Sequence, residues 1–300
     1  MSLQPLKNPE SKIARLAATV KVTPALIFLF PALLVINLAQ MTSVVLIPFS
    51  RKRFRRFNRW CANTWWSWCV SLVKLLHGTR VEMTGDQVPA KENAIVVANH
   101  QQMPDITFLM FFAREKQRLG DLKWVVKDAI KYVPGVGWGM LFLDCIFVKR
   151  DWAKDQASIE RVFSKFMEGN IPIWLVSFVE GTRFTPAKRE EGRKYAQKRG
   201  IALPRNVLLP RTKGFAASVQ GLRDHLDAVY DVTIGYKEGV PSLWQYTLGF
   251  SRVAHLHVRR YPIEDLPGSS EELADWLFSR NTEKDKLLEE FYKTGSFPEK

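Results

Sequence analysis

Acid is nearly missing from the first quarter of this 300-residue chain: residues 1–80 hold twelve Lys and Arg against a single carboxylate, Glu10, so eleven of the fourteen excess positive charges lie there. Charge of either sign is absent from Val22 to Ser50, 29 residues in a row. That run exceeds the roughly 20 residues needed to span a bilayer and the apolar region of a signal peptide. Cysteine is scarce as well. Cys61, Cys69 and Cys145 are the only three, an odd number without a CxxC pair, which argues against a disulfide framework and for a reducing compartment. The sequence contains no Walker loop, zinc motif, serine elbow, internal repeat or low-complexity tract. His255 and His257 alternate on one strand face without a third ligand nearby, so neither a metal nor a cofactor is expected.

What is present suits a folded domain tied to a membrane. At 46% hydrophobic and 25% charged residues the chain can bury a sizeable core. Its basic excess flanks the long apolar run, which is how a membrane-binding segment is dressed, and no nucleic-acid partner is expected. Pro24, Pro31 and Pro48 interrupt that run, and Asn37, Gln40, Thr42 and Ser43 make its second half less apolar. A straight span and a bent or shallow insertion both remain open. Next comes Arg51-Lys52-Arg53-Phe54-Arg55-Arg56-Phe57-Asn58-Arg59, six cations interleaved with aromatics, a pattern that reads as a headgroup anchor. Trp60 to Leu76 is a second apolar stretch with four tryptophans, a residue type that favours the half-wet interface. Residues 22–76 therefore read as a two-helix membrane-binding hairpin within an N-terminal segment, 1–79. The cations place the rest of the chain on the cytoplasmic face.

From residue 80 onward, short apolar runs alternate with helical patterns, which predicts an α/β domain over 80–300 with a mixed, largely parallel sheet flanked by helices. Strands are expected at Arg80–Met83, Ala94–Ala98, Lys123–Val126, Cys145–Val148, Ile171–Phe178, Val207–Leu209, Val229–Gly235 and Val253–Val258. Asp151 to Met167 has helical spacing, and the C-terminal tail reads as a helix pair, Glu271–Arg280 and Glu283–Tyr292.

The chemistry concentrates after the second strand. The uniformly apolar Ala94–Ala98 run suits a strand covered on both faces, and it leads into Asn99-His100-Gln101-Gln102-Met103-Pro104-Asp105. Pro104 fits the first turn of a helix, which puts Asp105 in the field of the helix N-terminus. A carboxylate there can hold one ring nitrogen of His100 and leave the other free as a base. This is a serine-hydrolase triad without its serine, so the nucleophile would be a hydroxyl of the substrate and the reaction an acyl transfer.

Three further blocks follow: Ile146-Phe147-Val148-Lys149-Arg150, Phe178-Val179-Glu180-Gly181-Thr182-Arg183, and Val207-Leu208-Leu209-Pro210-Arg211-Thr212-Lys213-Gly214. With the His100-x4-Asp105 block, in this order and spacing, they resemble the glycerolipid acyltransferases over residues 80–235, and most closely the 1-acylglycerol-3-phosphate acyltransferases. The resemblance implies a membrane-bound enzyme with His100 and Asp105 as catalytic pair, a lysophospholipid acceptor, and acyl-CoA or acyl carrier protein as co-substrate. It also implies that Lys127, Lys149, Arg150, Glu180, Gly181, Thr182 and Arg183 bind the acceptor. A glycine at the strand end lets backbone amides approach a phosphate, Arg183 offers a planar fork for phosphate oxygens, and Glu180 would orient the arginine or the acceptor hydroxyl. One position departs from the family pattern. Gln102 stands where a small hydroxylic residue is usual, which keeps another lysophospholipid or glycerol 3-phosphate open as acceptor. A catalytically silent lipid-binding protein is the alternative of a different class, and the intact His-Asp pair argues against it.

Overall fold

The computed structural model describes residues 3–149 and 151–299. Two long helices open it. The Ser11 side chain accepts from the Ala14 amide at 3.2 Å and starts α1, Lys12–Thr42, which runs unbroken through Pro24 and Pro31. The charge-free run is thus helical from Val22 to Thr42, with both prolines inside one helix, and the 3₁₀ turn and loop of 43–50 complete it. A 3₁₀ turn over Ser43–Leu46 and a second serine cap, Ser50, lead into α2, Arg51–His77, so the cationic cluster and the tryptophans share one helix. With its 3₁₀ continuation α1 covers 35 residues and is the one helix among the described residues long and apolar enough to cross a bilayer.

The remaining elements are β1 (Arg80–Gly85), β2 (Ala94–Ala98), α3 (Pro104–Glu115), β3 (Leu122–Lys127), α4 (Val136–Phe142), β4 (Ile146–Val148), α5 (Trp152–Glu168), β5 (Trp174–Phe178), α6 (Pro186–Glu191), α7 (Arg193–Arg199), α8 (Thr212–Leu222), β6 (Ala228–Gly235), α9 (Leu243–Thr247), β7 (Val253–Pro262) and α10 (Ser270–Thr294). The seven strands form one sheet in the order β1-β7-β6-β2-β5-β3-β4. Strands β6, β2, β5, β3 and β4 are mutually parallel, and β7 runs antiparallel to β6 and parallel to β1. The mixed, largely parallel sheet expected from the alternation is therefore present.

Side chains of β2 alternate between two cores. Ala94, Val96 and Ala98 point to one face and pack with Phe108, Leu109 and Phe112 of α3 and with Ala62, Trp66 and Val70 of α2. Ile95 and Val97 point to the other, against Phe163 of α5, Phe215 and Val219 of α8 and Leu277 of α10. A side chain of this size contributes about 1.5–3 kcal/mol when fully buried. Because α2 supplies three residues to the first core, α2 and the sheet share it.

Two expectations fail. Val207–Leu209 is not a strand: Val207 and Leu208 are buried, but this stretch is a loop threading under α10 on its way back to the sheet edge. The C-terminal helix pair is one continuous helix, α10. Asn281 and Lys284, polar residues that look like a break, are buried and satisfied, with Asn281 Nδ2 donating to the Leu208 carbonyl at 3.3 Å and Lys284 Nζ sitting 2.6 Å from Asp231 Oδ1 and 2.6 Å from the Val232 carbonyl.

Candidate active site

All five parallel strands end on the same edge of the sheet, the edge where α/β folds place their ligands. Registers such as Ala98 with Phe178 and Lys127 with Val148 bring the ends of β2, β5, β3 and β4 into one row. His100 follows β2, Glu180 to Arg183 follow β5, Lys127 ends β3 and Lys149 follows β4.

At the end of β2 the chain turns sharply and is clamped. The Asn99 side-chain amide grips Ile234 of β6 at both of its backbone groups, donating to the carbonyl at 3.0 Å and accepting from the amide at 2.8 Å. Gln101 Nε2 donates to the same Ile234 carbonyl at 3.0 Å and reaches the Tyr292 hydroxyl of α10 at 3.1 Å. Pro104 then occupies the first turn of α3, and Asp105 follows it fully buried.

Four donors converge on that carboxylate. Oδ2 accepts from His100 Nδ1 at 2.9 Å and from the amides of Gln101 and Gln102 at 2.7 and 2.9 Å, while Oδ1 accepts from the Tyr236 hydroxyl at 2.6 Å. An acceptor at Nδ1 requires the proton to sit on that nitrogen, so Nε2 carries the free lone pair. Among the described residues Nε2 has no hydrogen-bond partner. Phe178 stacks on the imidazole with ring centroids 4.0 Å apart and an interplanar angle of 16°, which fixes the plane of the ring as Asp105 fixes its rotation. Tyr236 donates and does not ionise, because burial and the adjacent Asp105 carboxylate push its hydroxyl well above the usual phenol range.

Glu180 lies under the site, not in it. Its side chain is buried, and Oε1 accepts from the His100 amide at 3.2 Å, so it supports the backbone of the base and, among the described residues, makes no hydrogen bond or ion pair with Arg183. Burial pushes this carboxyl up to about 8, and the nearby Asp105 charge adds to that. The His100 amide, the approach of the Leu208 amide and the Lys284 cation hold it down in part.

Gly181 turns the chain after β5 with φ +69°, and the Arg211 side chain lies so close above it that a Cβ would come within 2.7 Å of Nε. Only glycine combines that backbone conformation with that approach. Arg183 projects from the turn and donates from Nη1 to Gln102 Oε1 at 2.7 Å, and Lys188 Nζ donates to the Thr182 hydroxyl. The residue that departs from the family pattern thus holds the arginine of the neighbouring block. Lys127 and Lys149 are exposed and, among the described residues, have no ion-pair partner. They stand two and three strands from β2, about 10 and 14 Å at the usual strand spacing. Arg150 lies outside the described residues.

His100 and Asp105 were legible from their spacing. Tyr236, Phe178 and Asn99 were not singled out as parts of the site, and neither were Arg211 and Lys188. Arg211 stands in a block that carries the resemblance, whereas Tyr236 has no local signal, being 131 positions from its partner.

The site combines a base with a free nitrogen, a carboxylate that can stabilise the protonated ring, and a cationic rim. That combination can remove a proton from a hydroxyl held near an anionic group.

Comparison with known proteins finds relatives over most of the chain. Residues 80–237 match the family model described as Acyltransferase, and residues 247–300 match the one described as Acyltransferase C-terminus. The chain is 34% identical over 290 residues to 1-acyl-sn-glycerol-3-phosphate acyltransferase 2 of Brassica oleracea, covering 94% of this chain and 74% of that one. It is 34% identical over 270 residues to the gamma 1-acyl-sn-glycerol-3-phosphate acyltransferase of Homo sapiens, covering 88% and 72%. The crystal structure of the 1-acyl-sn-glycerophosphate acyltransferase PlsC from Thermotoga maritima shares the fold, with a TM-score of 0.52, 18% identity and coverage of 93% and 97%.

Proposed function

Because the chain belongs to the acyltransferase family that includes the 1-acylglycerol-3-phosphate acyltransferases, we propose that it moves a fatty acyl group from acyl-CoA or acyl carrier protein to the free hydroxyl of 1-acylglycerol 3-phosphate, giving phosphatidate in phospholipid synthesis. One observation carries the mechanism: His100 Nδ1 is held by Asp105 at 2.9 Å while Nε2 has no hydrogen-bond partner among the described residues.

The acceptor hydroxyl gives its proton to His100 Nε2 as its oxygen attacks the thioester carbonyl. The C–O ester bond forms, the C–S bond breaks, and the proton passes from the imidazolium to the departing sulfur. Asp105 stabilises the imidazolium between these two transfers. Neither a thiol nor a hydroxyl of the protein is hydrogen-bonded to the base among the described residues, so acyl transfer is direct and no acyl-enzyme forms. Arg183, Lys127 and Lys149, with Arg150 next to Lys149 in sequence, bind the acceptor phosphate. Gly181 and Thr182 shape the turn that presents the arginine. Correct placement of the acceptor by these residues supplies rate in addition to the proton transfer. The protein works at a membrane: the apolar face of α1 enters the lipid, and the cations of α2 lie at anionic headgroups with the sheet on the cytoplasmic side.

The Gln102–Arg183 hydrogen bond favours a second acceptor class. With one guanidinium N–H committed to Gln102, the site also suits the singly charged phosphodiester of another lysophospholipid. The test is thiol release by the purified protein with oleoyl-CoA and a panel of lysophospholipid acceptors, wild type against His100→Ala. The substitution is expected to lower turnover by about 10²–10⁴ and leave acceptor binding in place. An alanine variant keeping more than about a tenth of wild-type turnover would rule out this mechanism.

A further inference from the structure

Between the two cationic strand ends, Lys127 and Lys149, the chain makes an excursion whose apolar side chains face outward. A 3₁₀ turn over Asp128–Tyr132 leads into α4, and here Tyr132 is 72% exposed, Val133 43%, Val136 42% and Leu141 50%. Burying none of these residues is costly in water, and a cluster of four edged by the exposed Lys127 and by Lys131, which pairs with Asp128 at 2.8 Å, is the composition of a membrane-facing surface. The excursion is not slack chain. Gly137 packs so tightly on the Ile130 carbonyl that a Cβ would come within 2.0 Å of it, so the 3₁₀ turn and α4 form one rigid knuckle.

The knuckle is joined to both N-terminal helices. Leu33 of α1 lies over Gly135, where a Cβ would meet Leu33 Cδ2 at 2.7 Å. Phe142 meets Phe54 of α2 edge-on with centroids 6.4 Å apart, and Asp144 lies 3.9 Å from Arg55 Nε. On α1, the buried row Leu33, Asn37 and Gln40 is flanked one position on by the exposed row Leu34, Leu38 and Met41. The apolar surface of α1 therefore continues onto α4, and from α4 to the cationic edge of the sheet.

We infer that the Asp128–Phe142 knuckle is a second membrane-contact element, seated in the headgroup region of an anionic bilayer at the Lys127 end of the sheet edge. This rests on the membrane reading of α1 and α2 and goes beyond it. The occupant is lipid because the apolar patch adjoins the apolar face of α1 through the Leu33–Gly135 contact and because the exposed Lys127 stands at its edge.

The test places an environment-sensitive fluorophore at Leu141→Cys and, as reference, at Val35→Cys on α1, in full-length protein bound to vesicles of phosphatidylethanolamine and phosphatidylglycerol containing spin-labelled lipid. Quenching at both positions is expected. Quenching at 35 with none at 141 overturns the knuckle proposal and leaves the α1 reading intact. No quenching at either overturns both. A second measurement guards against a purely structural effect: Val136→Glu/Leu141→Glu should lower kcat/KM about tenfold on vesicle-embedded long-chain acceptor and leave it within about twofold on a monomeric short-chain acceptor. Equal loss on both acceptors overturns the proposal.

Discussion

Tyr236 donates its hydroxyl to Oδ1 of Asp105 at 2.6 Å, on the oxygen opposite the one that holds His100. The tyrosine directly follows β6 and the aspartate lies in the first turn of α3, so this bond ties the catalytic turn to the end of the strand beside it. Tyr236→Phe removes one of four donors and leaves a buried carboxylate oxygen unpaired, at a cost of about 1–3 kcal/mol. The expected outcome is a lower melting temperature and a kcat reduced about tenfold, with KM for the acceptor little changed. A KM effect with normal kcat would assign the tyrosine to substrate binding.

Glu180 makes a prediction about pH. Its folded-state carboxyl sits at about 8 because burial penalises the charged form, whereas in the unfolded chain it titrates near the usual glutamate value of about 4.3. Below about 4.3 both states hold the proton and the group costs nothing. As pH rises from there towards about 8 the unfolded state loses its proton first, so stability falls across that window and levels off above it. Glu180→Gln keeps the acceptor for the His100 amide and abolishes the titration. Its melting temperature should gain on wild type steadily from pH 5 to pH 8.5, and its activity at neutral pH should survive. Parallel curves for the two proteins would mean that Glu180 is charged in the folded state.

These two residues also mark what the sequence could and could not disclose. His100, Asp105 and the apolar β2 before them are local: a strand period, a helix start and a five-residue spacing. Strand alternation and the parallel class were legible for the same reason. Tyr236 reaches Asp105 only because β6 pairs in parallel register with β2, Ala98 beside Val232, and no window of sequence contains that register. α10 was misread at Arg280-Asn281-Thr282 because buried polar residues break the amphipathic pattern. Their partners, the Leu208 carbonyl for Asn281 and Asp231 for Lys284, come from elsewhere in the chain. Val207 and Leu208 read as a strand because burial gives a loop the same apolar signature when it passes under a helix.

The cationic cluster divides once its partners are known. Arg59 pairs with the buried Asp121 at 2.6 Å and Arg55 faces Asp144 at 3.9 Å, whereas Arg53 and Arg56 line an apolar cavity of about 420 Å³ with Leu46, Phe57 and Trp60. Replacing Arg51, Lys52, Arg53 and Arg56 by Gln should therefore weaken binding to anionic vesicles by about 1 kcal/mol per cation. Binding to zwitterionic vesicles should be unaffected. Arg59→Gln should instead lower the melting temperature, since it strands a buried carboxylate, though Arg118 at 3.1 Å retains part of the compensation. Equal loss on both lipid types for the fourfold variant would make the whole cluster structural.

Arg183 is held by Gln102 at 2.7 Å, beside the turn that carries the base. If it grips the acceptor phosphate, it does so through a planar fork with one prong already occupied, and Arg183→Lys keeps the charge while losing both the fork and the anchoring contact. Loss of a charge-assisted hydrogen bond of this kind is worth about 1.5–3 kcal/mol, a tenfold to hundredfold fall in kcat/KM. The fall should appear with lysophosphatidate and shrink with monoacylglycerol, which has no phosphate to lose. Gln102→Ala separates the anchor from the grip: the guanidinium keeps its full set of donors but loses its place, so kcat/KM should fall less than in Arg183→Lys and turnover of the lysophosphodiester should fall relative to that of lysophosphatidate. The measurement is kcat/KM for wild type and the two variants on lysophosphatidate, a lysophosphodiester and monoacylglycerol. If Arg183→Lys lost the same factor on lysophosphatidate and monoacylglycerol, the arginine would be serving the fold or the acyl donor, and the turn after β5 could not be the phosphate cradle.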